Sequence, residues 1–264
     1  MKIKKLYLHR IVLFLFLSPF FFTNDSAAAS KAATDKASAP DKAADKTTAN
    51  KSAAESKADV LEQTLTSMDK AAANFKAIEA NFAWDQFTKV VEQTETQTGK
   101  IYFRRVKNET QMMADVTGPQ ASDKKSVLYA NSKFQIYQPG EVDQVTIYDL
   151  SKKPEVESFL VLGFGGRGHD LSKSFDVTYV GSEKAGGVQT EKINLVPKSE
   201  KVKNNFDHII LWIDPARGIS VQQQLLAPNG DYRLTRYSDI HLVDKLPDNV
   251  FKLKTDSKTK FLTP

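Results

Sequence analysis

Cysteine is absent from the 264-residue chain, which excludes disulfides, thiolate nucleophiles and cysteine-ligated metals and leaves packing to hold the fold. Histidine is nearly as scarce. Of the four present, His9 sits at the extreme N-terminus, while His169, His208 and His241 fall in unrelated segments. None shows the i, i+4 spacing of a helical metal pair, so no metal or other cofactor is expected. Charge of one sign is also lacking. The formal excess of +5 comes mostly from Lys2, Lys4, Lys5 and Arg10, and no block of like charge follows, so no nucleic-acid partner is expected. No apolar run reaches the ~20 residues of a membrane-spanning helix.

What is present begins with those four cations, an apolar run over 11–22 and then Ala27-Ala28-Ala29, the order of a secretory signal with a small-residue cleavage site. Residues 1–29 are therefore expected to direct export and be removed. Without a cysteine the new N-terminus offers no site for a lipid anchor, so the product is expected to be soluble outside the cytoplasm. An uncleaved anchor is the alternative, weakened by Pro19 inside the run. Residues 30–57 are almost entirely Ala, Lys, Asp, Thr and Ser. That composition cannot bury enough apolar surface to offset the entropy of ordering, which predicts a disordered tether, with an exposed helix as the alternative. Residues 58–264 then form one domain.

Within that domain, Leu61, Leu65, Met68, Ala72 and Phe75 recur at spacings of three and four, which predicts an amphipathic helix over 60–78. Downstream the period changes to two. Strands are expected over 82–84, 99–107, 111–116, 126–130, 134–138 and 144–148, and again over 175–180, 190–196, 206–214, 219–226 and 232–242, with turn signals between them. A short helix is expected over 154–164, since Pro154 suits a first turn, Glu155 and Glu157 favour its positive end, and Gly163 would stop it. The fold class that follows is α+β with a long antiparallel meander. Residues 209–213 are apolar at consecutive positions, so both faces of that strand are shielded. Two helices cannot cover so many strands, so the sheet curls on itself or leaves apolar surface to be filled.

The loop 163–170 contains glycines at spacings resembling a phosphate loop, but it follows a helix pattern and lacks the Gly-Lys-Ser/Thr ending. A hydrolase would use His169 and Asp170 as base and orienter for Ser172 or Ser174; only sequence proximity supports it. A hinge, with Asp170 capping the turn that follows, is the preferred reading.

Several short motifs, taken in order, resemble the LolA family of periplasmic lipoprotein carriers. Phe82-Ala83-Trp84-Asp85-Gln86 is similar to its aromatic-and-Gln opening strand, and Gly99-Lys100-Ile101-Tyr102-Phe103-Arg104-Arg105 to its strand ending in a basic pair. Phe134 to Pro139 with Gln144-Val145 resembles its Tyr-x-Pro hairpin, and Asn194-Leu195-Val196-Pro197-Lys198 its Leu-x-Pro-Lys strand end. After Arg105 the chain departs from the family's Pro and aromatic-rich strand. The resemblance implies an open antiparallel half-barrel, with a long N-terminal helix and a short lid helix over its concave apolar face. It implies a lipid cavity lined by Phe82, Trp84, Ile101, Phe103, Met113, Leu128, Ile136, Ile209, Leu211, Ile213 and Leu225, with Phe159, Leu160, Leu162 and Phe164 as lid. Arg105 matches the family's lid-latching arginine; Arg104 is its rival. The implied cargo is acylated lipoprotein, loaded by an inner-membrane ABC transporter of the Lol type and passed to an outer-membrane acceptor by a periplasmic monomer that is not an enzyme. A lipoprotein sensor of the RseB type and a glycolipid carrier are alternatives within the same fold.

Overall fold

The computed structural model describes residues 46–107, 109–152, 159 and 162–264. The expected export signal, most of the expected helix over 154–164, and Leu160 within it lie outside them. The chain divides into two compact units, 1–59 and 60–264.

Helix α1 (Lys46–Asn74) opens the described chain. It begins inside the segment expected to be a disordered tether; the chain is helical from Lys46, for which strong helix formers such as Ala and Lys suffice. From residue 60 onward the predicted stripe is buried: Leu65 and Met68, then Ala72 and Phe75. The helix stops at Asn74, earlier than the expected 78, because from Ala77 the apolar residues alternate with period two and the chain enters a strand.

Twelve strands follow: β1 (Ala77–Thr88), β2 (Gln93–Val106), β3 (Glu109–Thr117), β4 (Lys125–Ala130), β5 (Lys133–Gln138), β6 (Gln144–Asp149), β7 (Phe175–Ala185), β8 (Val188–Pro197), β9 (His208–Asp214), β10 (Ile219–Leu226), β11 (Tyr232–Val243) and β12 (Lys260–Leu262). They form one open sheet in the order β12-β6-β5-β4-β3-β2-β1-β11-β10-β9-β8-β7. Every pairing is antiparallel except that of β12 with β6. Short helices α2 (Leu171–Ser174) and α3 (Glu200–Lys203) sit in connections. The fold is thus an open antiparallel half-barrel, as expected, with β12 an addition that three exposed residues do not announce.

The two faces of the sheet are covered differently. One carries Ile78, Phe82, Phe103, Met112, Val127, Phe134, Ile193, Leu195, Ile209, Leu211 and Ile213, all buried. On the other, Met113, Leu128 and Ala130 pack with Ala77 against Leu246 and Phe251 of the C-terminal segment. Arg104 holds that segment, its guanidinium lying 4.1 Å from the Phe251 ring centre and pairing with Asp248. A second cluster on this outer face, Ala185, Trp212 and Val221 with Ile210 and Leu234 around them, shields the back of β9. Both sides of the 209–213 strand are therefore covered, as its unbroken apolar run requires.

Candidate functional site

The described residues expected to act as a lid, Phe159, Leu162 and Phe164, lie on the face opposite the C-terminal segment. Phe164, 1 % exposed, stacks on Phe103 at 5.3 Å and meets Tyr237 edge-on at 4.7 Å. Phe159 packs between Phe175 and Phe206 at 5.6 and 5.5 Å. Leu162 is buried, and its carbonyl accepts from Gln223 Nε2. Gly163, at φ +80°, accepts a bond from the Ser220 amide at 2.9 Å. The lid segment is therefore hydrogen-bonded to β10 and stacked on β2 and β11. A pocket of about 160 Å³ is lined by Met68, Leu162, Gly163, Leu171 and Phe175 together with Gly166, Arg167, Asp170 and Ser174, and by none of the sheet residues expected to form the lipid cavity.

The register sorts the expected cavity residues by face. On β1, Phe82 and Trp84 project to the lid side, their rings stacked at 4.8 Å. Ile101 and Phe103 share that side with them across the β1–β2 pairing, in which Phe103 faces Ile78 and Ile101 faces Ala80. Ile136 follows through Val127 and Ala114, and Ile209, Leu211, Ile213 and Leu225 through the β9–β10 pairs. Met113 and Leu128 do not belong to this set. They pair with each other and project into the outer cluster with Leu246 and Phe251. In a strand, adjacent residues face opposite sides. Met112 and Val127, their neighbours, are the lid-side residues, and two adjacent apolar positions such as Met112-Met113 give no sign of which is which.

Arg105 connects three elements. Its side chain rises from β2 on the lid side, donating from Nη1 to the Ala72 carbonyl at 2.7 Å and from Nη2 to the Gly165 carbonyl at 2.6 Å. Its guanidinium carbon is 5.4 Å from the Phe75 ring centre. The last four carbonyls of a helix have no partner within it, and a cation there also meets the negative end of the dipole. The last turn of α1 has no basic residue of its own, so β2 supplies one. Arg104, one residue earlier, necessarily points to the other face and engages Gln111 and Asp248. The two arginines thus engage different elements: Arg105 meets α1 and the Gly165 backbone, Arg104 the C-terminal segment.

The glycine loop is fastened to α1. A Cβ on Gly168 would stand 2.5 Å from the Leu65 carbonyl oxygen, so only glycine lets the loop approach the helix backbone this closely. His169 donates its amide to Asp69 at 3.2 Å, and its ring nitrogens reach Asp69 at 2.7 Å and Glu62 at 3.1 Å. Arg167 lies 3.6 Å from the same Asp69. The Asp69 hydrogen bond above all, opposed by burial and helped by Glu62, raises the His169 pKa above its ordinary value. Burial would raise the Asp69 carboxyl, but the His169 bonds and the Arg167 charge hold it below the ordinary value. The hydrolase arrangement does not form: both imidazole nitrogens face α1 carboxylates, Asp170 pairs with Lys173 at 2.9 Å, and Ser172 Oγ donates to the His169 carbonyl. Asp170 does precede α2, yet its carboxylate makes no capping bond. Sequence gives no sign of this strap: Asp69 and Glu62 lie seven apart on one helix, and nothing joins them to a loop a hundred residues away.

No protein-family model matches the chain, and no curated protein matches it in sequence. Among solved structures, that of MucB is similar over 75 % of this chain and 63 % of its own, at 11 % identity and a TM-score of 0.45. The chain thus spans less than two thirds of MucB. An uncharacterized conserved protein from Thermus thermophilus is similar over 76 % of this chain and 98 % of its own, at 9 % identity and a TM-score of 0.49. A LolA superfamily protein from Nitrosomonas europaea is similar over 73 % of this chain and 97 % of its own, at 14 % identity and a TM-score of 0.39. The likeness to all three is one of fold.

Proposed function

We propose that the domain is a periplasmic carrier that shelters the acyl chains of lipoproteins beneath its lid. The observation that carries the reading is Arg105: a cation set against an apolar sheet face, donating to carbonyls of the two elements that cover that face. Such a contact closes a cover; it is not needed to hold strands together.

The magnitudes fit a carrier. Hiding one CH₂ from water is worth ~0.8 kcal/mol, so a chain of about a dozen methylenes gains roughly 10 kcal/mol in any apolar site. The pocket of about 160 Å³ beside Leu162, bordered also by Arg167, Asp170 and Ser174, is smaller than the ~300 Å³ at which ligand pockets begin, and the sheet face itself is filled by Phe164 and Leu162. The lid must therefore move for a chain to enter. Phe164 and Leu162, buried against the sheet, act as an internal substitute for cargo. Displacing each side chain costs about 1.5–3 kcal/mol of burial, together with the Arg105 bonds. Cargo binding is weakened by that amount, which is what permits hand-off to a stronger acceptor. On this reading export places the protein in the periplasm, an inner-membrane ABC transporter loads it, and an outer-membrane acceptor unloads it. No bond is made or broken.

The test is mass spectrometry of organic extracts from the protein purified without detergent from its native compartment, beside Arg105→Leu. Acylated lipoprotein, enriched in the variant, is the expected result. Free phospholipid or glycolipid would replace the lipoprotein cargo with lipid, and an empty protein in both samples would overturn the cavity.

A further inference from the structure

The start of β1 lies between the ends of its two neighbours. Ala77 stands opposite Arg104 of β2 on one side and Val243 of β11 on the other. Each of these segments carries a lysine close to where it meets the sheet: Lys76 just before β1, Lys107 just after β2 and Lys245 shortly after β11. The topology therefore gathers, at one rim of the sheet, three cations that are far apart in sequence.

A pocket of about 360 Å³ opens there, within the range of ligand pockets that begins at ~300 Å³. The charged residues around it are Lys76, Arg104, Arg105, Lys107 and Lys245, with Asp244 the single carboxylate. Some of these charges are already committed. Arg104 holds Gln111 and Asp248, and Lys76 pairs with Asp244 at 2.7 Å. The Lys76–Asp244 pair is exposed on both sides, at 64 % and 89 %. Such a pair contributes little, so a stronger anion can take the place of its carboxylate. Arg105 donates to the Ala72 and Gly165 carbonyls, both of them neutral. Lys107 and Lys245 form no salt bridge among the described residues. Asp248, which Lys245 influences at longer range, is the acid that Arg104 already holds.

Cations gathered around a concave pocket without matching acids focus a positive potential into it, and an anion seated among them relieves their mutual repulsion. A phosphate group suits the arrangement. It carries roughly −1.5 to −2 charges and several acceptor oxygens, so it can engage more than one ammonium at once. We propose that this rim pocket is an anion site in which Lys76, Lys107 and Lys245 hold a phosphate group, whether of a lipid headgroup or of free phosphate. Asp244 releases Lys76 as the anion enters. Arg105 and Phe75 border the same pocket, so the site adjoins the contact that ties β2 to α1 and to the Gly165 backbone. The assignment goes beyond the carrier reading and stands whether or not the apolar groove takes lipid.

Isothermal titration with inorganic phosphate and with dihexanoyl phosphatidic acid, at constant ionic strength, tests it. Lys107→Gln combined with Lys245→Gln should weaken binding about tenfold or more, the effect of losing charge-assisted contacts. The melting temperature should stay in place, because neither lysine is salt-bridged. A variant of equal charge altered elsewhere on the sheet, Lys100→Gln with Lys133→Gln, should bind as the wild type does. Phosphatidic acid held well above inorganic phosphate would support the site with a lipid headgroup as its source, and equal affinities would support it with free phosphate. Absence of saturable binding by both probes, wild-type affinity in the Lys107 and Lys245 variant, or the same loss in the two double variants would overturn it.

Discussion

Replacing Arg105 with Leu removes the contact that spans β2, α1 and the lid loop, and its effect can be worked out beforehand. Hydrogen bonds to a charged group are worth about 1.5–3 kcal/mol each. Arg105 is partly exposed, which argues for the lower end, or about 3 kcal/mol for the pair. A leucine in its place regains some packing on Phe75, leaving a net loss of about 2 kcal/mol, which is roughly thirtyfold in the ratio of closed to open lid. Because cargo enters only the open form, its apparent affinity rises by up to the same factor. Titration with a fluorescent fatty acid should therefore show tighter binding by Arg105→Leu. Amide exchange over 162–171 should accelerate in the ligand-free variant. Arg105→Lys, which keeps the charge but loses the two-pronged geometry, should fall between. Arg104→Leu, acting on the opposite face, should loosen the C-terminal segment without altering exchange in the lid. Wild-type affinity and wild-type exchange in Arg105→Leu would refute the latch.

Gly168→Ala drives a methyl group into the Leu65 backbone and should cost about 1–3 kcal/mol as an overpacked contact, read as a lower melting temperature with faster exchange in the loop. The His169 strap should depend on pH. Its raised pKa means that its stabilisation is fully present below the ordinary histidine value and disappears as pH rises through the higher folded-state value, whereas Asp69 withdraws support only in acid, as pH falls through its lowered value. Loop protection, corrected for the intrinsic base catalysis of amide exchange, should therefore be greatest in mildly acidic buffer and decline toward alkaline pH, and His169→Ala should abolish that decline; pH-independent protection in the wild type would count against the strap. Met113→Ala should lower stability by about 2–5 kcal/mol yet leave fatty-acid affinity unchanged, because its side chain lies in the outer cluster; a change in affinity at equal stability would place it back in the groove.

Much of this architecture is legible in sequence for physical reasons. The spacing of Leu65, Met68, Ala72 and Phe75 fixes which side of α1 is buried, and the unbroken 209–213 run announces a strand covered on both faces. Faces are harder where apolar residues are adjacent. Met112-Met113 and Val127-Leu128 could each be divided either way, and the answer depends on the C-terminal segment, which arrives from a hundred residues downstream to cover the outer face. The basic pair Arg104-Arg105 poses the same problem, resolved only when Ala72 and Gly165 are seen beside one and Asp248 beside the other. Long-range partnerships leave no local trace: neither His169 with Asp69 nor Lys107 with Lys245 could be read from spacing.

The position of β1 at the middle of the sheet has a consequence for how the molecule comes into being. Its two neighbours are β2, adjacent in sequence, and β11, whose register joins Ala77 to Val243. The sheet cannot be completed across its centre until nearly the whole polypeptide has been made. Pairings so distant along the chain are slow to form, because loop-closure entropy must be overcome before the contacts compensate for it. For a chain proposed to cross a membrane as an extended thread, that delay is useful: the two halves remain separate sheets without a shared core until the last long strand has emerged on the far side.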